Sequence, residues 1–134
     1  MKFTRSRPYK KDDNAHIEQK NWTHIRQWFG YERHDNPEVV PLLNALTTGA
    51  WGHLVNLFRP ALKLQSKKRI GSRIRRVYEE PQTPYERVQA SEQVSAGKKA
   101  ELQTLKGRLN PFALAAQVER ELKAIEAIRR GREA

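Results

Sequence analysis

Apolar residues recur along this chain at helical spacing in three places, and basic residues are crowded between the second and the third. Glu18, Trp22, Ile25 and Phe29 follow one another at intervals of four, three and four, which puts them along one face of a helix. Asp13 or Asn14 can cap that helix, and Gly30 ends it. A second stripe, Val39, Leu43, Leu46, Ala50 and Leu54, follows Asn36, Pro37 and Glu38, which read as a cap, a first-turn proline and a dipole-matching acid. That pattern predicts a helical stretch toward Phe58, kinked or divided near Thr47 because Pro41 removes a donor and Gly49 and Gly52 lower propensity. The third stripe, Leu114, Val118, Leu122, Ile125 and Ile128, opens at Asn110 and Pro111 and requires a partner helix. A shorter helix from Lys98 to Lys106 precedes it, with Gly107 as its stop. Residues 1–9 alternate loosely up to Pro8 and suit one short strand, for which no ladder partner is visible. Residues 79–97 carry Pro81 and Pro84 and no period, and read as a linker.

Composition sharpens this picture of a mostly α chain. Of 134 residues only 37% are hydrophobic and 31% are charged, so the core must be small. Lys and Arg total 26 against 15 Asp and Glu, a net charge of +11 that favours polyanionic partners, nucleic acid first. The charge is concentrated: no acid occurs from Val39 to Tyr78, where Arg59, Lys63, Lys67, Lys68, Arg69, Arg73, Arg75 and Arg76 all fall. Without cysteine there is no disulfide framework and no thiolate nucleophile or metal site. No apolar run approaches the roughly 20 residues of a membrane span, and the start lacks the order of a signal peptide. The expectation is a soluble, cytoplasmic protein, nucleoid-associated when bound to DNA, with no membrane partner.

The stretch RSRPYKKDDNAHIEQKN, from Arg5 to Asn21, resembles the segment of integrase-type DDE transposases of bacterial insertion sequences that contains the last acid of the Asp, Asp, Glu triad. Lys10, Lys11, Asp13, Asn14, Glu18, Gln19, Lys20 and Asn21 are its matching core. The similarity continues through HLVNLFRPALKLQSKKRIGSRIRRVYEEPQTPYERV, where Ser66 to Arg76 resembles the family's basic segment and Thr83 to Arg87 its TPYxR stretch. The resemblance implies a C-terminal portion of such an enzyme. Residues 1–58 would be the last strand and triad helix of an RNase H-like α/β core, 59–78 a basic DNA-contacting segment, 79–97 a linker and 98–134 a helical tail. It implies Glu18 as the third carboxylate ligand of two Mg²⁺ or Mn²⁺ ions in the complete enzyme. Lys10, Lys11, Lys20 and Asn21, with Arg5 and Arg7 upstream, would lie near the DNA backbone.

Glu18 also has a plainer reading, because an acid in the first turn of a helix is favoured by the macrodipole by roughly 0.3–1 kcal/mol. Its place on the Trp22 stripe weakens that reading, since that face should meet packed structure, where an unpaired carboxylate is costly without a metal ion or a basic partner. The family's two aspartates lie upstream of this segment and have no counterpart here; Asp12 and Asp13 read as caps or turn acids. Many related enzymes place a Lys or Arg seven residues after the Glu, a position held here by Ile25, with Arg26 following. His16, Ile17 and Glu18 match the H-x-E of zinc deaminases without the cysteine pair, and Asp12 and Asn14 start an EF-hand pattern that then fails. His24, His34 and His53 lack metal-ligand spacing, and Trp22, Trp28 and Trp51 read as core.

The basic run, Lys63, Lys67, Lys68, Arg69, Arg73, Arg75 and Arg76, is where DNA binding would reside whatever the role of Glu18. Tyr78 is its one aromatic, so contact with the backbone of double-stranded DNA is favoured over base stacking. The fragment alone is expected to lack strand-transfer activity and to hold no metal tightly. The alternative is a non-catalytic, basic, helical DNA-binding protein, or one that regulates a full-length transposase. In that role Leu114, Val118, Leu122, Ile125 and Ile128 would meet a second copy or the transposase.

Overall fold

The computed structural model describes residues 5–31 and 34–133. The chain divides between Asp35 and Asn36 into two compact units. The architecture is mostly helical, with one two-stranded antiparallel sheet among the described residues.

The first unit is a single helical run ended as its sequence requires. A 3-10 turn, Lys11–Asn14, leads into α1, Ala15–Lys20, then a π segment, Asn21–Arg26, and a last turn, α2, Gln27–Phe29. Gly30 stops it with φ of 74°, a conformation glycine adopts without strain. Neither Asp13 nor Asn14 caps α1 by side chain. The expected strand over residues 1–9 falls partly outside the described residues; residues 5–7 are irregular and Pro8 and Tyr9 form a turn. No residue of this helical run is buried, and Trp22 and Ile25 are 48% and 43% exposed. At Glu18, Trp22 and Ile25 the stripe therefore faces solvent, where packed structure was expected, and Phe29 is half-buried.

The second unit holds the core. Asn36 accepts a hydrogen bond from the Glu38 N–H at its Oδ1 (3.0 Å), forming the expected cap, and α3 spans Val39–Thr48. The division expected near Thr47 occurs at Gly49, whose ψ of −116° breaks the helix before α4, Ala50–His53. A π segment, Leu54–Phe58, completes that stretch. Two strands follow, β1 (Leu64–Ile70) and β2 (Arg73–Tyr78), and then three helices: α5 (Pro84–Ala90), α6 (Ala96–Arg108) and α7 (Pro111–Glu133). Asn110 caps α7 as expected, its Oδ1 accepting from the Phe112 N–H at 2.9 Å, while α6 runs one residue past Gly107.

The third stripe has its partner inside this unit. Leu114, Val118 and Ile125 of α7 are buried together with Val39, Leu46, Ala50, Val55 and Leu57, because α7 packs across α3, α4 and the following π segment. Leu122 and Ile128 are half-buried. A second copy is thus not needed to cover the face that was expected to bind one. Residues 79–97 are not a structureless linker either. Thr83 and Glu86 form a complete capping box around Pro84 at the first position of α5. That signal, T-x-x-E, is local and carries no apolar period, so a search for stripes passes over it.

Candidate nucleic-acid interface

The acid-free segment folds into an antiparallel ribbon. Gly71 (φ 61°) and Ser72 join the strands, and a positive φ at the first central position alone has the sign pattern of a II′ hairpin turn. Opposed pairs are Ser66 with Val77, Lys67 with Arg76, Lys68 with Arg75, Arg69 with Ile74 and Ile70 with Arg73, and the register shifts between Leu64 and Ser66. Every residue of both strands is exposed. Since directly opposed residues share a face and faces alternate, Lys68, Arg73 and Arg75 lie on one side and Lys67, Arg69 and Arg76 on the other.

Two of these pairs, Lys67 with Arg76 and Lys68 with Arg75, set like charges directly across the strands, an arrangement that destabilises a ribbon on its own. Neither face is buried, so no packing requirement places the charges there. None of the six ribbon cations holds an ion pair among the described residues; the Arg69 guanidinium donates to the Gly71 carbonyl at 3.2 Å and stays at the tip.

The ribbon's base is tied to the helical body by the stretch that resembles TPYxR. Ala61 and Gln82 form a bridge (2.9 and 3.4 Å), and the Glu79 N–H donates to the Lys63 carbonyl at 2.9 Å. Arg87, from α5, donates one guanidinium N–H to Glu79 Oε2 at 2.8 Å and another to the Ala61 carbonyl at 3.1 Å. The Arg87 partner holds the Glu79 carboxyl below its usual range. Tyr85 lies under the Lys106 ammonium, 4.4 Å from the ring centroid, joining α5 to α6. Each polar residue of Thr83–Arg87 thus serves the fold, by capping α5, docking it on α6 or clamping the ribbon. None of these roles was assigned from the sequence, where only the motif's outline was visible.

The first unit presents the other candidates. Arg7 grips Asp13 through its backbone N–H (3.0 Å) and both arms of its guanidinium (2.9 Å each), which holds the Asp13 carboxyl below its ordinary value. Its fork is therefore committed within the chain, whereas Arg5, Lys10, Lys11, Lys20 and Asn21 are all exposed. In the π segment the Gln27 N–H bonds the Trp22 carbonyl five residues back, widening the turn by about one residue. Arg26, eight positions after Glu18, thereby takes the place along the helix that the seventh holds in an uninterrupted α-helix. Its guanidinium lies 4.9 Å from the Tyr31 ring centroid.

Glu18 itself is exposed. Among the described residues no three His, Asp or Glu side chains gather where a cation could be held, and the nearby Asp13 is engaged by Arg7. The donors present do not fit a two-metal centre.

Comparison with known proteins adds one relative. The chain is 39% identical over 94 residues to the uncharacterized protein y4rM of Sinorhizobium fredii. The match takes in 65% of this chain and 25% of that protein, so this chain spans about a quarter of the length of the curated relative it matches. No family model matches, and no solved structure matches. No described helix is long and apolar enough to cross a membrane.

Proposed function

We propose that this chain is the DNA-binding C-terminal part of an integrase-type DDE transposase, with the basic ribbon contacting duplex DNA. The observation that carries the binding is the ribbon, which exposes three cations on each face and opposes like charges across strands that contain no acid. A polyanion would relieve that repulsion, and phosphates are the polyanion that a regular ribbon can meet repeatedly. The resemblance of residues 5–21, 66–76 and 83–87 to the transposase supports the biological setting. The relative's greater length supports a segment that works as part of a larger protein.

In this reading Glu18 is the third acid of the complete enzyme, and this chain alone is inactive, since one exposed carboxylate cannot position two metal ions. Fluorescence anisotropy with a duplex oligonucleotide across a salt series tests the binding. Six ribbon cations and two at its base set a ceiling of about −7 on the slope of log affinity against log salt, and neutralising ribbon residues should flatten it. Salt-independent binding, or none, would refute the reading. Strand transfer by the chain alone, lost in Glu18→Gln, would refute its inactivity.

A further inference from the structure

The way charge is divided between the two faces of the ribbon says how it meets DNA. A ribbon that lies flat against one strand's phosphates needs cations on one face only, with the other left neutral toward solvent. Here the register puts Lys68, Arg73 and Arg75 on one face and Lys67, Arg69 and Arg76 on the other, three each. Both strands are solvent-exposed along their full length, so neither face is reserved for packing on the helical body. The base is fixed by the Ala61–Gln82 bridge and by Arg87, which lets the far end stand out as an arm and not as a loose loop.

We infer that the ribbon enters the major groove of duplex DNA tip first, with each face turned to one of the two phosphate walls. This rests on the DNA-binding reading above and specifies its geometry. The B-form major groove, about 12 Å wide, admits a two-stranded ribbon. Successive side chains of a strand project from opposite faces, so Lys and Arg stems reach outward toward both walls. Each opposed pair then meets one wall as a unit, Lys67 with Arg76 on one side and Lys68 with Arg75 on the other, and the phosphates of that wall neutralise the charges that repel across the strands. Gly71 and Ser72 make the leading edge narrow, and Ile70 and Ile74, 60% and 47% exposed, bring apolar side chains beside the tip, where thymine methyl groups line the groove. Single strands fit poorly, since the ribbon offers Tyr78 alone for stacking, at the end of β2. Duplex RNA fits poorly too, because its major groove is deep and narrow.

The test compares two triple variants of the full chain, Lys68→Gln with Arg73→Gln and Arg75→Gln, and Lys67→Gln with Arg69→Gln and Arg76→Gln, by salt-dependent binding to one duplex. Insertion predicts that each variant lowers the salt slope by a similar amount, up to about 2.7 for three phosphates, and that both bind more weakly by comparable factors. It also predicts protection of guanine N7 from methylation and weaker binding to duplex RNA of the same sequence. If only one face matters while wild type binds normally, the ribbon lies on the backbone; insertion is then wrong and DNA binding stands. Equal affinity for the RNA duplex, or unprotected N7, would likewise overturn insertion alone. If wild type shows no salt-dependent binding to duplex DNA, both readings fall together. Circular dichroism of each variant confirms that the helical body is intact, as exposed positions allow.

Discussion

Replacing Leu46 by alanine asks whether the α3–α7 contact is the core of this molecule. Leu46 is fully buried on α3, against the face where Val118 and Ile125 of α7 are also buried. The substitution removes three carbons, worth roughly 2.4 kcal/mol at about 0.8 kcal/mol each. The void left in a site with no exposed edge adds a cavity cost of about 24 cal/mol per Å³, which brings the total to about 3–5 kcal/mol. Ile125→Ala is the internal control. Ile125 is buried too, but it borders an apolar cleft of about 450 Å³ lined also by Leu42, Ala45, Gly49, Ala50, Gln117, Glu121 and Ala124. Its loss enlarges an existing space, and about 2–3 kcal/mol is expected. Urea denaturation followed by circular dichroism measures both. For a domain of this size each kcal/mol also lowers the melting midpoint by about 4–8 °C. A loss below about 1 kcal/mol for Leu46→Ala would refute the packing argument. So would a loss that disappears when the protein is about tenfold more concentrated, for then a second copy and not α3 would be sealing the stripe.

Three further outcomes follow from the same geometry. Gly52→Ala should destabilise by about 1–3 kcal/mol, despite a helix-propensity gain of about 1 kcal/mol, because a Cβ at Gly52 would run into the Thr47 carbonyl oxygen; a raised melting temperature would show that the break at Gly49 is not enforced there. Glu79, Glu86, Glu119 and Glu126 are all held below the ordinary carboxylate value of 4.5 by bonds to Arg87, Thr83, Lys123 and Arg129 respectively, Glu126 down to about 2. A depressed folded value means stability that is complete above about 4.5 and lost as pH falls through the folded values, so the urea midpoint should be flat near neutrality and decline between pH 4.5 and about 2. Glu126→Gln should remove part of that decline, and an unchanged slope would contradict the Arg129 and Arg130 bonds. Arg87→Gln should raise amide exchange in the strands Leu64–Ile70 and Arg73–Tyr78 while α7 stays protected, and equal exchange in both proteins would mean that Arg87 does not clamp the ribbon.

Much of the helical framework was legible in the sequence because its signals are local. Asn36 and Asn110 cap, Pro111 opens α7, Gly30 stops the first run, and the Val39 to Leu54 and Leu114 to Ile128 stripes mark the faces that are buried. The concentration of charge between Arg59 and Arg76 was equally plain, since counting needs no fold. The ribbon itself was missed. A strand is read from contrast between a buried and a solvated face, and this one has charge and apolar residues on both, so no alternation exists to find. The Gly71–Ser72 dipeptide between two branched and basic runs was the available signal.

Tertiary structure decided what local patterns leave open. An apolar stripe states that it must be covered and not by what; only packing showed that α3 and α4 cover α7 within one unit. Spacing arguments for Glu18 assumed 3.6 residues per turn, and the π segment at Asn21–Arg26 changed which residues align with it. The TPYxR stretch could be matched as a motif, but the clamp from Arg87 to Glu79 and the Ala61 carbonyl joins residues 8 and 26 positions apart, and only the folded chain brings them together.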